Sequence, residues 1–271
     1  MVKSFAARFR VEPGKRPQLG RRDPGDLKAF PDRKAAEKQS EKDGAAIDKL
    51  QDRLYAEGKR ALLIVLQGID TAGKDGTIKH VFKETGALGV VVTPFKKPTE
   101  DELAHDFLWR AHIAAPRRGF IGVFNRSYYE DVLIGRVRKL APKDEIEKRY
   151  DQINAFEKVL AENGTRILKF MLHISKKEQR ERLQARLDEP RSRWKFNPSD
   201  LDDRKLWNQF MAAYELALDK CSTAWAPWHV IPADHKWARN AAIAAIVRET
   251  LEEMNPQYPK PAWDPKSFVI K

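Results

Sequence analysis

Apolar residues along the chain fall into two patterns. Five short stretches are almost continuously apolar: ALLIVLQ (61–67), GVVVTPF (89–95), GFIGVF (119–124), TRILKFML (165–172) and WHVIP (228–232). Runs of this length without polar alternation predict strands covered on both faces. Between them, apolar residues recur among charges at helical spacing. This predicts helices over 74–85, 100–114, 128–140, 143–163, 176–187, 201–222 and 235–254. A further charged helix over 33–57 precedes the first strand, with Ile47, Leu50 and Leu54 on one face and Gly58 as its C-cap. Strands alternating with helices predict an α/β fold, a three-layer αβα sandwich around a roughly five-stranded parallel sheet. The two helical segments between the fourth and fifth strands exceed what one crossover requires, so part of residues 176–205 is expected to stand off the sheet as a helical lid.

Outside this alternation, residues 1 to about 35 are rich in Pro, Gly, Lys and Arg and read as an extended arm. The tail, 256–271, is proline-rich and aromatic, suited to packing on its own or a neighbouring subunit. The expected organisation is one domain over 1–271: arm and first helix (1–57), core (58–255) and tail. No internal repeat is visible.

Composition narrows the function classes. The longest apolar run, ALLIVL (61–66), is far short of a membrane span, and the basic N-terminus lacks the apolar segment of a signal peptide. A single cysteine, Cys221, excludes an internal disulfide and a cysteine-built zinc site, which suits the cytoplasm, and reads as buried filler rather than a nucleophile. A net charge of +12 over 271 residues predicts a polyanionic partner. Nucleic acid, polyphosphate and multiply charged nucleotides all satisfy that charge.

Chemistry enters with GIDTAGKDG, Gly68 to Gly76. The G-x-x-x-x-G-K spacing, directly after an apolar strand and before a helix, is the P-loop arrangement. Its glycines let successive backbone N–H groups converge on an anion, the helix N-terminus adds partial positive charge, and Lys74 adds a full one. The expected phosphate-binding set is Gly68, Ala72, Gly73, Lys74, Asp75, Gly76 and Thr77. Asp75 stands where a magnesium-binding Ser or Thr usually follows the lysine. Asp70 lies inside the loop, where a carboxylate repels phosphate unless a divalent cation intervenes. It is therefore either a magnesium-coordinating or phosphate-positioning residue, or an acceptor that caps the loop.

A second cluster, FNRSYYEDV (124–132), follows the third strand, at the end of a parallel sheet where ligands bind. Ser127 and Glu130 also have the spacing of a capping box, a purely structural alternative for Glu130.

These two segments resemble the polyphosphate kinase 2 family. Gly68, Asp70, Gly73, Lys74 and Gly76 match its cradle, and Phe124 to Val132 its second motif. The F-K-x-P-T-x-x-E-L stretch (95–103) matches as well. Arg186 to Pro190 and Trp194 to Phe196 match a lid segment loosely. The resemblance spans roughly residues 9 to 255 and implies a thymidylate-kinase-like P-loop fold. It also implies reversible phosphoryl transfer, with Mg2+, between inorganic polyphosphate and AMP or ADP, or GMP or GDP, with ATP among the nucleotides bound. Glu130 and Asp131 resemble the branch acting on mono- and diphosphates. Asn125 stands where some members carry Asp, which weakens a metal role there.

With phosphoryl transfer as the task, positioning and charge neutralisation dominate. The expected catalytic set is Asp70, Lys74, Arg126, Asp131 and Arg182. Asp70 and Asp131 are expected to hold metal, and Lys96, Arg126, Glu130, Asp131 and Arg186 to meet the nucleotide. Arg182 and Arg186, by resemblance on the lid, either close over bridging phosphates or belong to a solvated helix face. Lys79, Lys83 and Arg204 are expected in a polyphosphate channel. His80, His105 and His112 lack metal-ligand spacing, and no nucleic-acid recognition motif is present. A homodimer or homotetramer is expected from the family. An ATP-dependent nucleoside monophosphate kinase of the thymidylate-kinase type is the alternative, and a basic nucleic-acid-binding P-loop protein a third reading.

Overall fold

In a computed structural model, which describes residues 4–86, 88–264, 267–268 and 270, each of the five apolar runs forms a parallel strand. The first three residues of the arm, and residues 265, 266, 269 and 271 of the tail, lie outside the described set. The strands are β1 (Ala61–Gln67), β2 (Val90–Pro94), β3 (Ile121–Asn125), β4 (Thr165–His173) and β5 (Trp228–Pro232), in the order β2-β3-β1-β4-β5. β1 is central and buried along its whole length, as its unbroken apolar run requires.

Helices cover both faces. On one, Leu62, Ile64 and Leu66 pack with Ile47 and Leu54 of α1 (Arg33–Glu57), Val81 of α2 (Lys74–Val81) and the apolar side of α10 (Lys236–Met254). On the other, Leu63 and Val65 pack with α6 (Lys143–Glu162) and α9 (Trp207–Cys221). Alternate residues of one strand thus feed two cores. No helix among the described residues is long and apolar enough to cross a membrane.

Three helices expected to be continuous are broken. The segment 100–114 divides into α3 (Glu100–Leu103) and α4 (Trp109–Ala114), because Asp106 accepts the Leu108 N–H at 2.9 Å and turns the chain. The segment 128–140 is a 3-10 turn, Tyr128–Asp131, followed by α5 (Ile134–Val137). The segment expected to form a lid comprises α7 (Lys176–Asp188), a 3-10 stretch (Pro190–Lys195) and α8 (Ser199–Lys205), the last separated from α9 at Leu206.

The arm is held down. Val11 N–H donates to Trp228 O and Val230 N–H to Phe9 O, both at 2.8 Å, so residues 9–11 lie antiparallel along the β5 edge. Glu249 accepts from the amides of Phe5 and Ala6 at 3.0 Å, and Glu215 from those of Gln18 and Leu19 at 2.9 and 2.7 Å. Covering an edge strand in this way removes a template for unwanted pairing. Among the described residues the β2 edge has no such cover, and Val91 and Val92 there are exposed.

Beneath the second cluster lies a fully buried ion pair, Lys169 Nζ to Glu157 at 2.6 Å. Tyr128 and Tyr129 donate their hydroxyls to the same carboxylate at 2.8 Å, and Lys169 also donates to Cys221 O at 2.7 Å. Cys221 itself is buried, with its thiol pushed up to about 12, chiefly by burial.

Candidate active site

β1 and β3 are neighbours with Leu66 opposite Asn125, so the loops that leave their carboxyl ends start side by side. The first runs from Gly68 into α2, with Gly73 as the N-cap at φ 104°. The amides from Gly73 to Gly76 precede the first turn's hydrogen bonds and are its unsatisfied donors. Lys74 is buried and donates Nζ to the loop's own Gly68 O at 2.7 Å. Burial first, then Arg126, pushes its pKa down to about 8, against the pull of Asp70 and Glu130.

Two members of the expected phosphate set are otherwise engaged. Ala72 N–H donates to Ile69 O at 3.0 Å, and Thr77 N–H and Oγ1 both donate to Gly73 O, at 2.9 and 3.1 Å. Thr77 is buried and lines no part of the cleft above the loop, so it does not supply the hydroxyl that Asp75 displaces. Asp75 instead accepts from Asn125 Nδ2 at 2.6 Å, tying the two loops together.

At the end of β3, Arg126 adopts φ 62°, a left-handed conformation that costs a non-glycine residue and persists where surrounding contacts impose it. The turn aims its guanidinium at Asp70, with which it forms a hydrogen-bonded ion pair. Burial opposes the charge, yet Asp70 and Glu130 hold Arg126 above its ordinary pKa.

Glu130 and Asp131 diverge. Gln67, with its amide oriented to satisfy both neighbours, donates to Glu130 Oε1 at 2.9 Å and accepts from Ser127 N–H at 3.1 Å. Burial raises the Glu130 pKa against the attraction of Arg126 and Lys74. Ser127 does cap its turn, but onto Tyr129 N–H, and the Glu130 side chain completes no capping box. Asp131 pairs with Arg149 at 3.3 Å in a separate cavity of about 640 Å3, lined also by Arg110, Phe107 and Glu145. The expected Asp70–Asp131 metal pair is therefore not assembled. Consecutive residues on a tight 3-10 turn point to different sides.

Arg182 also departs from expectation. It is buried, and its guanidinium donates to the carbonyls of Thr71, Ala72, Ala233 and Asp234 at 2.6–3.0 Å and to Glu178 at 2.7 Å. It braces the loop from below and has no donor left over to close on phosphate. Arg186, one turn on, lies in the cleft wall between Lys195 O at 3.1 Å and Asp200 at 3.3 Å.

Above the loop is a cleft of about 910 Å3, bounded by residues 94–97, Asn125, Arg126, the 178–200 segment and the start of α10. Among the described residues, nine Lys and Arg line it against five Asp and Glu. Lys96 and Lys97 are exposed on one wall, Lys195 and the largely exposed Trp194 on another, and Lys236 on a third, with Arg239 buried behind it. Lys79, Lys83 and Arg204 are not among its lining: Lys83 pairs with Glu84, and Arg204 fastens α8 to Lys176 O and Gln179.

Lys236, Arg239 and Asp200 were not singled out from the sequence. The first two had a signal, cations three apart where a helix starts just past the fifth strand's carboxyl end. Asp200 had none, being one acid in a heavily charged segment. Burial, then Asp70, raises its pKa to about 6, so these two cleft carboxylates press on each other. No group of three or more His, Cys, Asp or Glu stands ready to hold a metal alone among the described residues. Two facing acids still suit a hard cation that takes its remaining ligands from phosphate and water.

The family model "Polyphosphate kinase 2" matches residues 31–259. A protein of Meiothermus ruber named AMP/ADP-polyphosphate phosphotransferase is 49% identical over 97% of this chain and 99% of its own. An ADP-polyphosphate phosphotransferase of Rhodopseudomonas palustris is 45% identical over 78% of this chain and 77% of its own. The crystal structure of polyphosphate kinase 2 from Arthrobacter aurescens TC1 superposes with a TM-score of 0.94 at 42% identity, covering 98% of this chain and 95% of that one.

Proposed function

The chain belongs to the polyphosphate kinase 2 family, and from that premise we propose that it is a polyphosphate-dependent nucleotide phosphotransferase. It moves a phosphoryl group reversibly between inorganic polyphosphate and AMP or ADP. The observation that carries this reading is the cleft: unsatisfied helix-start amides and Lys74 at its floor, with an excess of cations up its walls. Such a surface suits a chain of phosphates better than a single one.

Phosphoryl transfer requires little covalent help and much charge stabilisation. Lys74 and the amides of residues 73–76 hold the donor phosphates. Arg126, kept charged and aimed by Asp70, lies at the mouth of the loop and meets the transferring group. Residues 176–205 act as a lid, bringing Arg186 and Lys195 over the phosphate chain, while Arg182 positions the loop beneath. The Asp131 cavity adjoins Lys96 through the Arg110 to Lys96 O bond at 3.0 Å and suits the nucleotide's base and sugar.

A divalent cation, Mg2+ by the hardness of its oxygen ligands, would be held by Asp70 with Asp200 nearby, and would neutralise phosphate charge. Nucleotide substrates put the reaction in the cytoplasm. A homodimer or homotetramer is proposed as the working form, favoured by the uncovered β2 edge and the exposed Tyr258, Trp263 and Phe268 of the tail.

Incubating the protein with Mg2+ and ADP or AMP, with and without polyphosphate, tests the reading. Phosphorylated nucleotide that appears only with polyphosphate is expected. Turnover with ATP as donor and none with polyphosphate would leave the thymidylate-kinase-type alternative.

A further inference from the structure

Arg239 sits under the phosphate-binding loop without an acid. It is 2% exposed, and its hydrogen bonds go to neutral oxygens: Nη1 to Ala72 O at 3.0 Å, Nε and Nη2 to Asn240 Oδ1 at 3.1 and 2.8 Å. Two other deeply buried cations pair directly with acids, Lys169 with Glu157 and Arg182 with Glu178, and Lys74 has the opposite charges of Asp70, Glu130 and Asp75 acting on it. Among the described residues Arg239 has none, and the charge that does act on it is the like charge of Arg182. Burial and that repulsion together push its pKa down to about 10. A buried charge left unpaired is costly, and proteins retain one where something else supplies the opposite sign.

Its location says what that is. A Cβ placed on Gly73 would fall 1.8 Å from Nη1, and one on Gly76 3.5 Å from Nη2. The guanidinium therefore lies against the inner side of the turn whose unsatisfied amides, 73 to 76, open on the cleft. Gly73 has a second purpose here: without a Cβ it lets a cation approach the back of the cradle, whereas a Cβ on Gly76 would meet the guanidinium only at ordinary contact distance.

We propose that Arg239 is the buried half of the anion site, a positioning residue whose missing counter-ion is the oligophosphate seated on the loop. This rests on the donor reading given above. The inorganic donor, with a charge on every phosphate, gains from it. An acceptor nucleotide in the Asp131 cavity does not.

Three proteins separate charge from bracing: wild type, R239Q, which keeps a donor for Ala72 O but loses the cation, and R239K, which keeps the cation. The probe is inorganic tripolyphosphate, followed by calorimetry and by thermal melting with and without it, beside KM for polyphosphate and for ADP. R239Q is expected to bind tripolyphosphate about tenfold more weakly or worse, the size of one charge-assisted contact. R239K should stay within about threefold, and KM for ADP should move less than about twofold in either variant. Without anion, R239Q should melt at or above the wild-type temperature, because an unpaired cation has gone. Equal binding by R239Q and wild type overturns the inference and leaves the donor reading standing; absence of tripolyphosphate binding to the wild type overturns both. Equal losses in R239Q and R239K, or an R239Q that melts well below wild type without anion, make Arg239 a structural brace and overturn it too.

Discussion

Glu130 and Asp131 are adjacent in the chain, yet one lies beside Lys74 and Arg126 behind the phosphate loop and the other pairs with Arg149 in a cavity of its own. The Tyr128–Asp131 turn sends successive side chains to different sides, and the buried Glu157–Lys169 cluster anchors the turn through both tyrosines. The proposed function therefore assigns two carboxylates that look like one motif to two ligands. D131N should raise KM for the nucleotide about tenfold, the size of one charge-assisted interaction, and leave tripolyphosphate affinity unchanged. Steady-state kinetics with each substrate varied in turn would show it. A matching loss in tripolyphosphate binding would contradict the division.

Lys74 carries the next expectation. Replacing it with alanine should lower kcat by about 10²–10³-fold, as removal of one preorganised charge donor does, with the far-UV spectrum unchanged. Its pKa near 8 also predicts an alkaline limb: kcat/KM for polyphosphate should fall as pH rises through about 8, because the neutral amine no longer holds phosphate. Glu130 is among the charges that raise that pKa, so E130Q should move the limb to lower pH. A profile flat to pH 9.5 would remove Lys74 from donor binding. The same depressed pKa acts on stability with a definite sign. The unfolded lysine, at its ordinary value of 10.5, binds more protons between the two pKa values, so Lys74's contribution is full above 10.5 and is lost as pH falls through about 8.

The sheet, its parallel sense and the phosphate loop were legible because each rests on local information: unbroken apolar runs, helical spacing, and glycines followed by a lysine at a strand's end. The Asp70–Arg126 pair was half legible, since both residues stood out but only the β1–β3 adjacency joins them. What stayed hidden depends on direction and distance along the chain. Arg182 looked like a lid cation, and only the fold shows it reaching back to Thr71 and Ala72. Arg239 is 167 residues from the carbonyl it holds. No spacing rule links such residues, just as none says which way a 3-10 turn points Asp131.

Asp200 offers a stability test in the absence of substrate. Burial and Asp70 raise its folded pKa to about 6, above the ordinary 3.8. A raised carboxyl favours the fold below the unfolded value, and that contribution is lost as pH rises through the folded one. D200N removes this dependence. Melted with chelator present, the variant should gain on wild type progressively from pH 4 to 6 and hold a constant advantage above. A difference that is flat from pH 4 to 7 would mean that Asp200 is not desolvated in the folded protein.

The last expectation concerns the cluster that anchors the divergent turn. Lys169 and Glu157 are wholly buried, and removing one partner leaves the other's charge in a site without water. K169M should therefore destabilise the protein by about 3–5 kcal/mol in urea unfolding. The double variant E157Q/K169M should recover much of that loss, because a neutral amide can still accept from the Tyr128 and Tyr129 hydroxyls. A buried ion pair is often worth little more than a neutral substitute, whereas half of one is costly. If E157Q alone is measured too and its loss simply adds to that of K169M in the double variant, the pair is not coupled, and the cluster's hold on the turn must come from packing of the tyrosine rings alone.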